Sequence, residues 1–327
     1  MTRLGYQIPN FTYPGHSNQE IFESVVAQAK AAEAAGYDRV FVMDHFYQLP
    51  GIGRPEEPMF ECYTLLSALA QQTERVRLSG LVTGNTYRNP ALLAKSVTTL
   101  DHVSGGRATL GIGAGWFERE HVDLGFEFGT FTDRFEKLEE SLQIIIPMLR
   151  NQRVSLDGKH YRVTEAINSP PPISSIPIMI GGQGEKKTLR MVAQYADESN
   201  LTGDNAAIPR KLEVLDAHCQ RIGRDRSEIK VTKLQMIAVA PTQEELDADF
   251  RSMAKVKGWT ETHIKAAQGA LISGDPDTVG EILQNAVASG LDGLTVDLPV
   301  NGHNLERIEL LAQIVDQIIP PSQDQEA

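Results

Sequence analysis

The chain has 327 residues, 41% hydrophobic and 23% charged, enough for two average domains or for one large α/β barrel with a sizeable core. Its net charge is −12 with no block of like charges, which argues against nucleic-acid and membrane-surface partners, since both ask for a basic patch. Cys62 and Cys219 lack metal-ligand spacing and are too few for a disulfide scaffold, so a reducing cytoplasm is expected and a metal site is not.

The opening Met-Thr-Arg-Leu-Gly has no signal-peptide apolar core, and no run of about 18 apolar residues is present to span a bilayer. Leu4 to Ile8 reads as a short strand ending at Pro9. Asn18 to Gly36 reads as a helix, because Ile21, Val25, Ala29 and Ala32 recur at three- to four-residue steps and Gly36 suits the residue after its end. Arg39 to Met43 is a buried strand with Asp44-His45 at its C-terminal end. Met59 to Thr73 is a helix, and Arg77 to Thr83 a strand running into Gly84-Asn85. Pro90 to Val103 is a helix with Asn89 as N-cap and Pro90 at the first helical position. Arg107 to Gly113 is a strand followed by Ala114-Gly115-Trp116-Phe117, and Asp133 to Arg150 is a helix.

The order to this point is βα repeated four times, which predicts a parallel sheet with helical crossovers. The pattern then breaks. Asp157-Gly158 lies between alternating runs in Arg153 to Val163, a hairpin signal, and Ser169 to Pro177 holds four prolines. Residues 150–176 therefore read as an insertion. The alternation resumes with Ile178 to Ile180, a helical run from about Glu185, a strand at Glu198 to Leu201 and a helix at Ile208 to Ile222. Ile229 to Ala240 is a strand. Thr242 to Ile272, with Gly258-Trp259, is mostly helical and reads as a second insertion or lid. Pro276 to Ser289, Gly293 to Leu298 and Leu305 to Ile319 follow as helix, strand and helix, and Pro320 to Ala327 as a polar frayed end. Eight strands and about eight helices in one chain favour a single (β/α)8 TIM barrel over an open doubly wound sheet.

Chemistry concentrates where a barrel would gather it, at the C-terminal ends of the strands. Pro177 to Thr188 is the stretch around which the rest is organised. The apolar Ile178-Met179-Ile180 leads into Gly181, Gly182 and Gly184, which strip the turn of Cβ atoms, and a helix start follows. Outward amides, a helix dipole and Lys186-Lys187 suit a phosphate. An ordinary tight turn with solvated lysines is the alternative. His45 suits a general acid/base, with Asp44 orienting it or contacting a ligand; a core histidine satisfied by backbone is the alternative. Trp116 is a pocket wall or simply loop packing. Gly111-Ile-Gly113-Ala-Gly115 has the wrong spacing and place for a dinucleotide fingerprint. No phosphate-loop, zinc-protease or nucleophile-elbow pattern occurs.

Taken together, these stretches resemble the luciferase-like superfamily of flavin and deazaflavin oxidoreductases over about Leu4 to Ile319. The carriers are Asp44-His45-Phe46, Arg88-Asn89-Pro90, Leu110-Gly-Ile-Gly-Ala-Gly-Trp-Phe117, the Asp157-Gly158…Tyr161 hairpin, and Ile180-Gly-Gly-Gln-Gly-Glu-Lys-Lys-Thr-Leu189 followed by Tyr195-Ala196-Asp197. The glycine stretch looks most like that of actinobacterial members dependent on coenzyme F420. The resemblance implies a bacterial-luciferase-like TIM barrel, homodimeric, holding coenzyme F420 (alternatively FMN) and a small-molecule substrate. By the same resemblance Asp44 and His45 lie beside the ring, with His45 near the hydride-transferring carbon. Thr83, Ala114 and Gly115 line the ring and ribityl chain, and Gly181, Gly182, Gln183, Gly184 and Lys186 take the phosphate. A non-proline cis bond is expected at Gly80–Leu81. One position departs from the pattern: the family's sugar-phosphate dehydrogenases carry a carboxylate proton donor where this chain has Trp116. An aromatic wall points instead to hydride transfer onto an enone, imine or similar acceptor. An FMN-dependent monooxygenase and a non-catalytic flavin binder are the competing readings.

Overall fold

The computed structural model describes residues 3–321, so most of the expected frayed C-terminal end and the first two residues lie outside the described part. In chain order the elements are β1 (Leu4–Ile8), α1 (Ile21–Ala34), β2 (Arg39–Val42), α2 (Cys62–Ala70), β3 (Arg77–Gly80), β4 (Thr83–Gly84), α3 (Pro90–Val103) and β5 (Leu110–Gly113). Next come α4 (Glu118–Leu124), α5 (Phe131–Leu149), the hairpin β6 (Val154–Asp157) and β7 (Arg162–Ala166), β8 (Ile178–Gly181), α6 (Thr188–Tyr195), β9 (Glu198–Leu201) and α7 (Ile208–Ile222). The chain closes with β10 (Lys230–Val239), α8 (Gln243–Lys257), α9 (Glu261–Ala270), β11 (Ile272–Gly274), α10 (Pro276–Ala288), β12 (Gly293–Asp297) and α11 (Leu305–Ile318).

The main strands run β3-β2-β1-β12-β10-β9-β8-β5-β4 and all these pairs are parallel. The ring closes because β3 and β4 are two halves of one interrupted strand. The lower half meets the approach to β5, where Leu78 N–H donates to Arg107 O and Thr109 N–H to Leu78 O, and the upper half pairs Thr83 with Ile112. Counted this way there are eight barrel strands, the TIM-barrel number. Parallel strands covered by helices should be apolar on their outer faces; Leu4, Tyr6 and Ile8 of β1 and Val40 and Val42 of β2 all join the main core. Inside, Asn200 donates to Thr232 at 2.9 Å and to Thr295 at 3.1 Å, while Phe41, Leu81 and Met179 form an apolar floor with Val82 and Leu234 against it. Arg39 and Glu198 make a buried two-pronged pair at the bottom, 2.7 and 2.9 Å.

Several expectations shift. The third strand is interrupted rather than continuous from Arg77 to Thr83. The non-proline cis bond lies at Leu81–Val82, not Gly80–Leu81. Ladder pairing explains the one-residue difference: Leu81 N–H still donates to Val42 O at 2.9 Å, so the strand carries through the Gly80–Leu81 bond in its extended trans form. The helix after the glycine stretch begins at Thr188, not Glu185. Glu185 instead turns its carboxylate to Lys211 and Arg210 of α7, and the preceding residues stay an open turn. The segment from Thr242 to Ile272 is two helices and the first residue of a short strand, β11, that pairs with the overhanging end of β10.

Candidate active site

The stretches singled out by sequence follow β2, β3/β4, β5 and β8, four consecutive strands of the ring, so they form one continuous arc of the mouth. At one end of the arc is His45. Its Nδ1 lies 2.9 Å from Oε2 of Glu120, a carboxylate with no exposed side-chain surface. The same carboxylate accepts the N–H groups of Phe46 (2.6 Å) and Tyr47 (2.8 Å) and the Tyr87 hydroxyl. Burial pushes the Glu120 carboxyl up, but the His45 ring, the Tyr87 hydroxyl and the Tyr47 amide outweigh it and hold it below the usual glutamate range. An ionised carboxylate only accepts, so Nδ1 carries the proton of the His45 ring and Nε2 is the atom left to give or take one. Among the described residues Nε2 has no hydrogen-bond partner. Trp116 meets His45 edge-on at 5.8 Å between centroids, stacks on Phe117 at 5.2 Å, and is 61% exposed on the rim.

Asp44 does not touch this ring. Its carboxylate is taken by the Arg88 guanidinium at 2.6 and 2.9 Å and by the Gly84 N–H at 2.9 Å. The orienting carboxylate anticipated at Asp44 is therefore Glu120, and Asp44 ties the end of β2 to β4 and α3. Arg88 gains from this pairing: burial lowers its pKa, but Asp44 outweighs burial and raises it. Thr83 is also turned from the mouth, its hydroxyl 2.8 Å from Tyr63 of α2.

Val82 reaches into the mouth in its place. A Cβ on Gly113 would lie 2.8 Å from Val82 Cγ2, and one on Gly181 2.7 Å from Val82 Cγ1, so both glycines are bare because Val82 leans on them. Gly80 ends β3 and Leu81 follows it; Leu81 O accepts Gln7 Nε2 at 3.1 Å. Ala114 packs against the main core. Gly115 has φ +80° and its missing Cβ would sit 2.6 Å from Thr86 Oγ1, while its carbonyl accepts Arg134 Nε from α5 at 3.1 Å.

At the far end of the arc, Gly182 donates to Asn200 O at 2.9 Å and the loop then opens. Among the described residues no backbone carbonyl takes the N–H groups of Gln183, Gly184, Glu185 and Lys186. Thr188 backs the loop, 2.9 Å from where a Cβ on Gly184 would be. Lys187 lies over the Phe131 and Phe135 rings at 5.3 and 5.4 Å, leaving Lys186 as the exposed cation beside the amides. Free successive amides, no side-chain bulk and one lysine are what a phosphate-bearing group needs, so this end of the site fits the phosphate of a flavin-like coenzyme.

With the geometry set out, comparison with known proteins decides the family. The sequence profile described as luciferase-like monooxygenase matches residues 2–293. The chain belongs to this family. It is 27% identical over 95% of its length to a protein of Nakamurella multipartita named F420-dependent glucose-6-phosphate dehydrogenase, of which 95% is covered. It is 26% identical over 89% of its length to a 5,10-methylenetetrahydromethanopterin reductase of Archaeoglobus fulgidus, of which 93% is covered. Its fold matches that of the coenzyme F420 dependent tetrahydromethanopterin reductase of Methanopyrus kandleri with a TM-score of 0.75 at 18% identity, over 97% of this chain and 99% of that one.

Glu120 and Tyr87 are the residues that sequence reasoning missed. The signal was present: Glu118 to Leu124 has good helix formers and ends at Gly125, whose φ of +76° marks a left-handed helix stop. That pattern would have placed a short helix, α4, behind Trp116, and with it a carboxylate one turn into the mouth wall.

Proposed function

We propose that this protein is a coenzyme F420-dependent oxidoreductase that reduces a small organic acceptor such as an enone or imine. The observation that carries the reading is the pairing, on one arc of the mouth, of an amide-lined anion loop with a histidine whose proton-transfer atom is fixed and free. Relatives named as F420-dependent enzymes support it. A reduced deazaflavin bound here supplies hydride, and with it an electron pair, to the acceptor's double bond. The chain's own residues do the rest. Gln183 to Lys186 hold the phosphate through backbone N–H and one ammonium. Phe41, Leu81, Met179 and Val82 make the dry floor. Glu120 would hold the His45 ring with Nδ1–H inward, so that Nε2, bare in the neutral ring, takes up a proton from water and passes it to the acceptor to complete the reduction. Trp116, where a carboxylate would serve an alcohol oxidation, walls the acceptor side with an apolar face.

The decisive measurement is a titration with coenzyme F420 and, separately, with FMN, followed by tryptophan fluorescence, for which exposed Trp116 beside His45 is the reporter. Saturation by coenzyme F420 and not by FMN is expected. Preference for FMN would move the protein to the monooxygenase branch, and binding of neither would remove the phosphate role of the glycine loop. His45→Ala is expected to lower turnover by about 10²–10⁴-fold, the usual worth of a positioned acid or base; unchanged turnover would end the proton role.

A further inference from the structure

Away from the arc, a cleft of about 490 Å³ opens where Thr202, Gly203 and Asn205 after β9, Lys233 and Gln235 of β10, and Leu271 before β11 come together. Its origin is a break in the sheet. Residues of one parity on a parallel strand turn both backbone groups to the same neighbour. Val231 exchanges bonds with Asp292 on the β12 side. Lys230 N–H donates to Asp197 O and Ala240 N–H to Gly274 O, so β9 and β11 share the opposite edge of β10. On that edge β9 pairs as far as Lys233, opposite Leu201, and β11 begins only at Ile237, opposite Ile272. Leu234 to Met236 are left without a strand neighbour there, and of the two even residues the Leu234 carbonyl and the Met236 N–H aim at the gap.

Beside the gap lies an ammonium with no counter-ion. Lys233 is 4% exposed. Its Nζ reaches only the Leu234 carbonyl and Gln235 Oε1, both at 3.3 Å, and among the described residues no carboxylate is within ion-pair distance of it. The carboxylate of Asp204, also on the cleft rim, is turned to cap the Ala206 N–H at 3.0 Å. Burial lowers the Lys233 pKa, and distant Asp204 offsets that only in part. A buried cation left unpaired is costly, whereas one next to an open cleft can be completed by a ligand.

We propose that this cleft is a carboxylate-binding site, with the ligand's carboxylate on Lys233 Nζ and the free Met236 N–H. The carboxylate has two possible sources, a free acidic molecule or an anionic tail continuing past the phosphate of the bound coenzyme; the second rests on the functional reading above. The geometry allows the tail, since Gln183 of the glycine loop lies over Gly203 on the cleft rim, 2.6 Å from where a Cβ there would sit.

The test uses the full chain and Lys233→Met. Glutarate is the free probe, titrated by calorimetry; intact coenzyme F420 and its tail-free deazariboflavin core are the coenzyme probes, titrated by fluorescence. The site holds a free acid if glutarate binds the wild type and the variant weakens it about tenfold or more, the worth of one charge-assisted hydrogen bond. It holds the tail if intact coenzyme weakens by that factor while the tail-free core does not. If both ligands bind the variant as they bind the wild type, or if glutarate does not bind and the coenzyme is indifferent to the variant, the proposal falls. Should neither coenzyme form bind the wild type, the functional reading has failed and the glutarate arm alone decides. Replacing an unpaired buried charge with an apolar chain of similar length should leave the melting temperature unchanged or raised; if Lys233→Met does not fold, Lys233→Gln takes its place in the same titrations.

Discussion

The single side chain with the most consequences is Glu120. One carboxylate fixes the His45 ring, two backbone amides and a tyrosine hydroxyl, so Glu120→Gln is not a silent swap. An amide N–H₂ facing Nδ1 would force that atom to become the acceptor, moving the ring proton to Nε2 and inverting the donor face offered to the mouth. The expected result is a loss of about 10²-fold or more in kcat with little change in coenzyme affinity, read by steady-state kinetics beside a binding titration. A parallel loss of affinity would mean that the loop after β2 had moved instead. Stability should report the same residue. Because the Glu120 carboxyl is held low in the folded protein, the unfolded chain takes up its proton first as pH falls. The stabilisation is thus complete above the ordinary glutamate value of about 4.3 and drains away below it; Glu120→Gln should flatten that acid limb of a melting-temperature profile. The short helix that carries Glu120 could be read from its helix formers and the glycine stop after it, but which of its two glutamates the fold buries against His45 could not, because that partner lies 75 residues away. His45, by contrast, was legible from its place at a strand end.

Between elements, two contacts decide how the mouth is built. The first is the approach of β5 to β3: a Cβ on Gly111 would lie 2.2 Å from Gly80 O, a backbone atom that cannot swing aside. Gly111→Ala should therefore cost about 3 kcal/mol, the upper part of the overpacking range, measured as a fall in denaturation midpoint, and a wild-type midpoint would show that the strands can part. The second is a clamp from the end of α8 to the loop after β2. Lys257 at the end of α8 donates to Glu57 Oε2 and Ile52 O, each at 2.7 Å, with no exposed side-chain surface of its own. Lys257→Met takes the close ammonium from a buried carboxylate that keeps only the Thr12 hydroxyl, the Arg54 N–H and, at 4.0 Å, the exposed Arg54 guanidinium; it should destabilise by about 3 kcal/mol, and adding Glu57→Leu should restore part of the loss. The helices and most strands of this frame were readable from period and capping; Asn89 caps α3 and Pro90 opens it as expected. The break between β3 and β4 was not, because Gly80-Leu-Val-Thr83 is as apolar and β-branched as an unbroken strand.

For the molecule as a whole, the alternation of strand and helix was enough to give the barrel, and strand ends were enough to give most of the arc; what stayed hidden were long-range partners, such as Glu57 with Lys257, 200 residues apart. The core also makes a simple global probe. Both cysteines are buried and unpaired, and burial raises the pKa of each thiol. Neither thiol should react with iodoacetamide at neutral pH until the barrel opens, so labelling in graded denaturant should rise for Cys62 and Cys219 together; early labelling of one alone would divide the barrel into separately unfolding parts. A last consequence concerns how such a barrel changes over generations. Val82, Gly113 and Gly181 come from three different strands or their junctions, yet the first occupies the room the other two leave. They behave as one locus: a larger residue at 113 or 181 becomes tolerable only after position 82 shrinks, and that order of events is irreversible in practice once the new side chain has filled the space. Libraries aimed at new acceptors should randomise the three together, because 113 and 181 screened singly will look immutable.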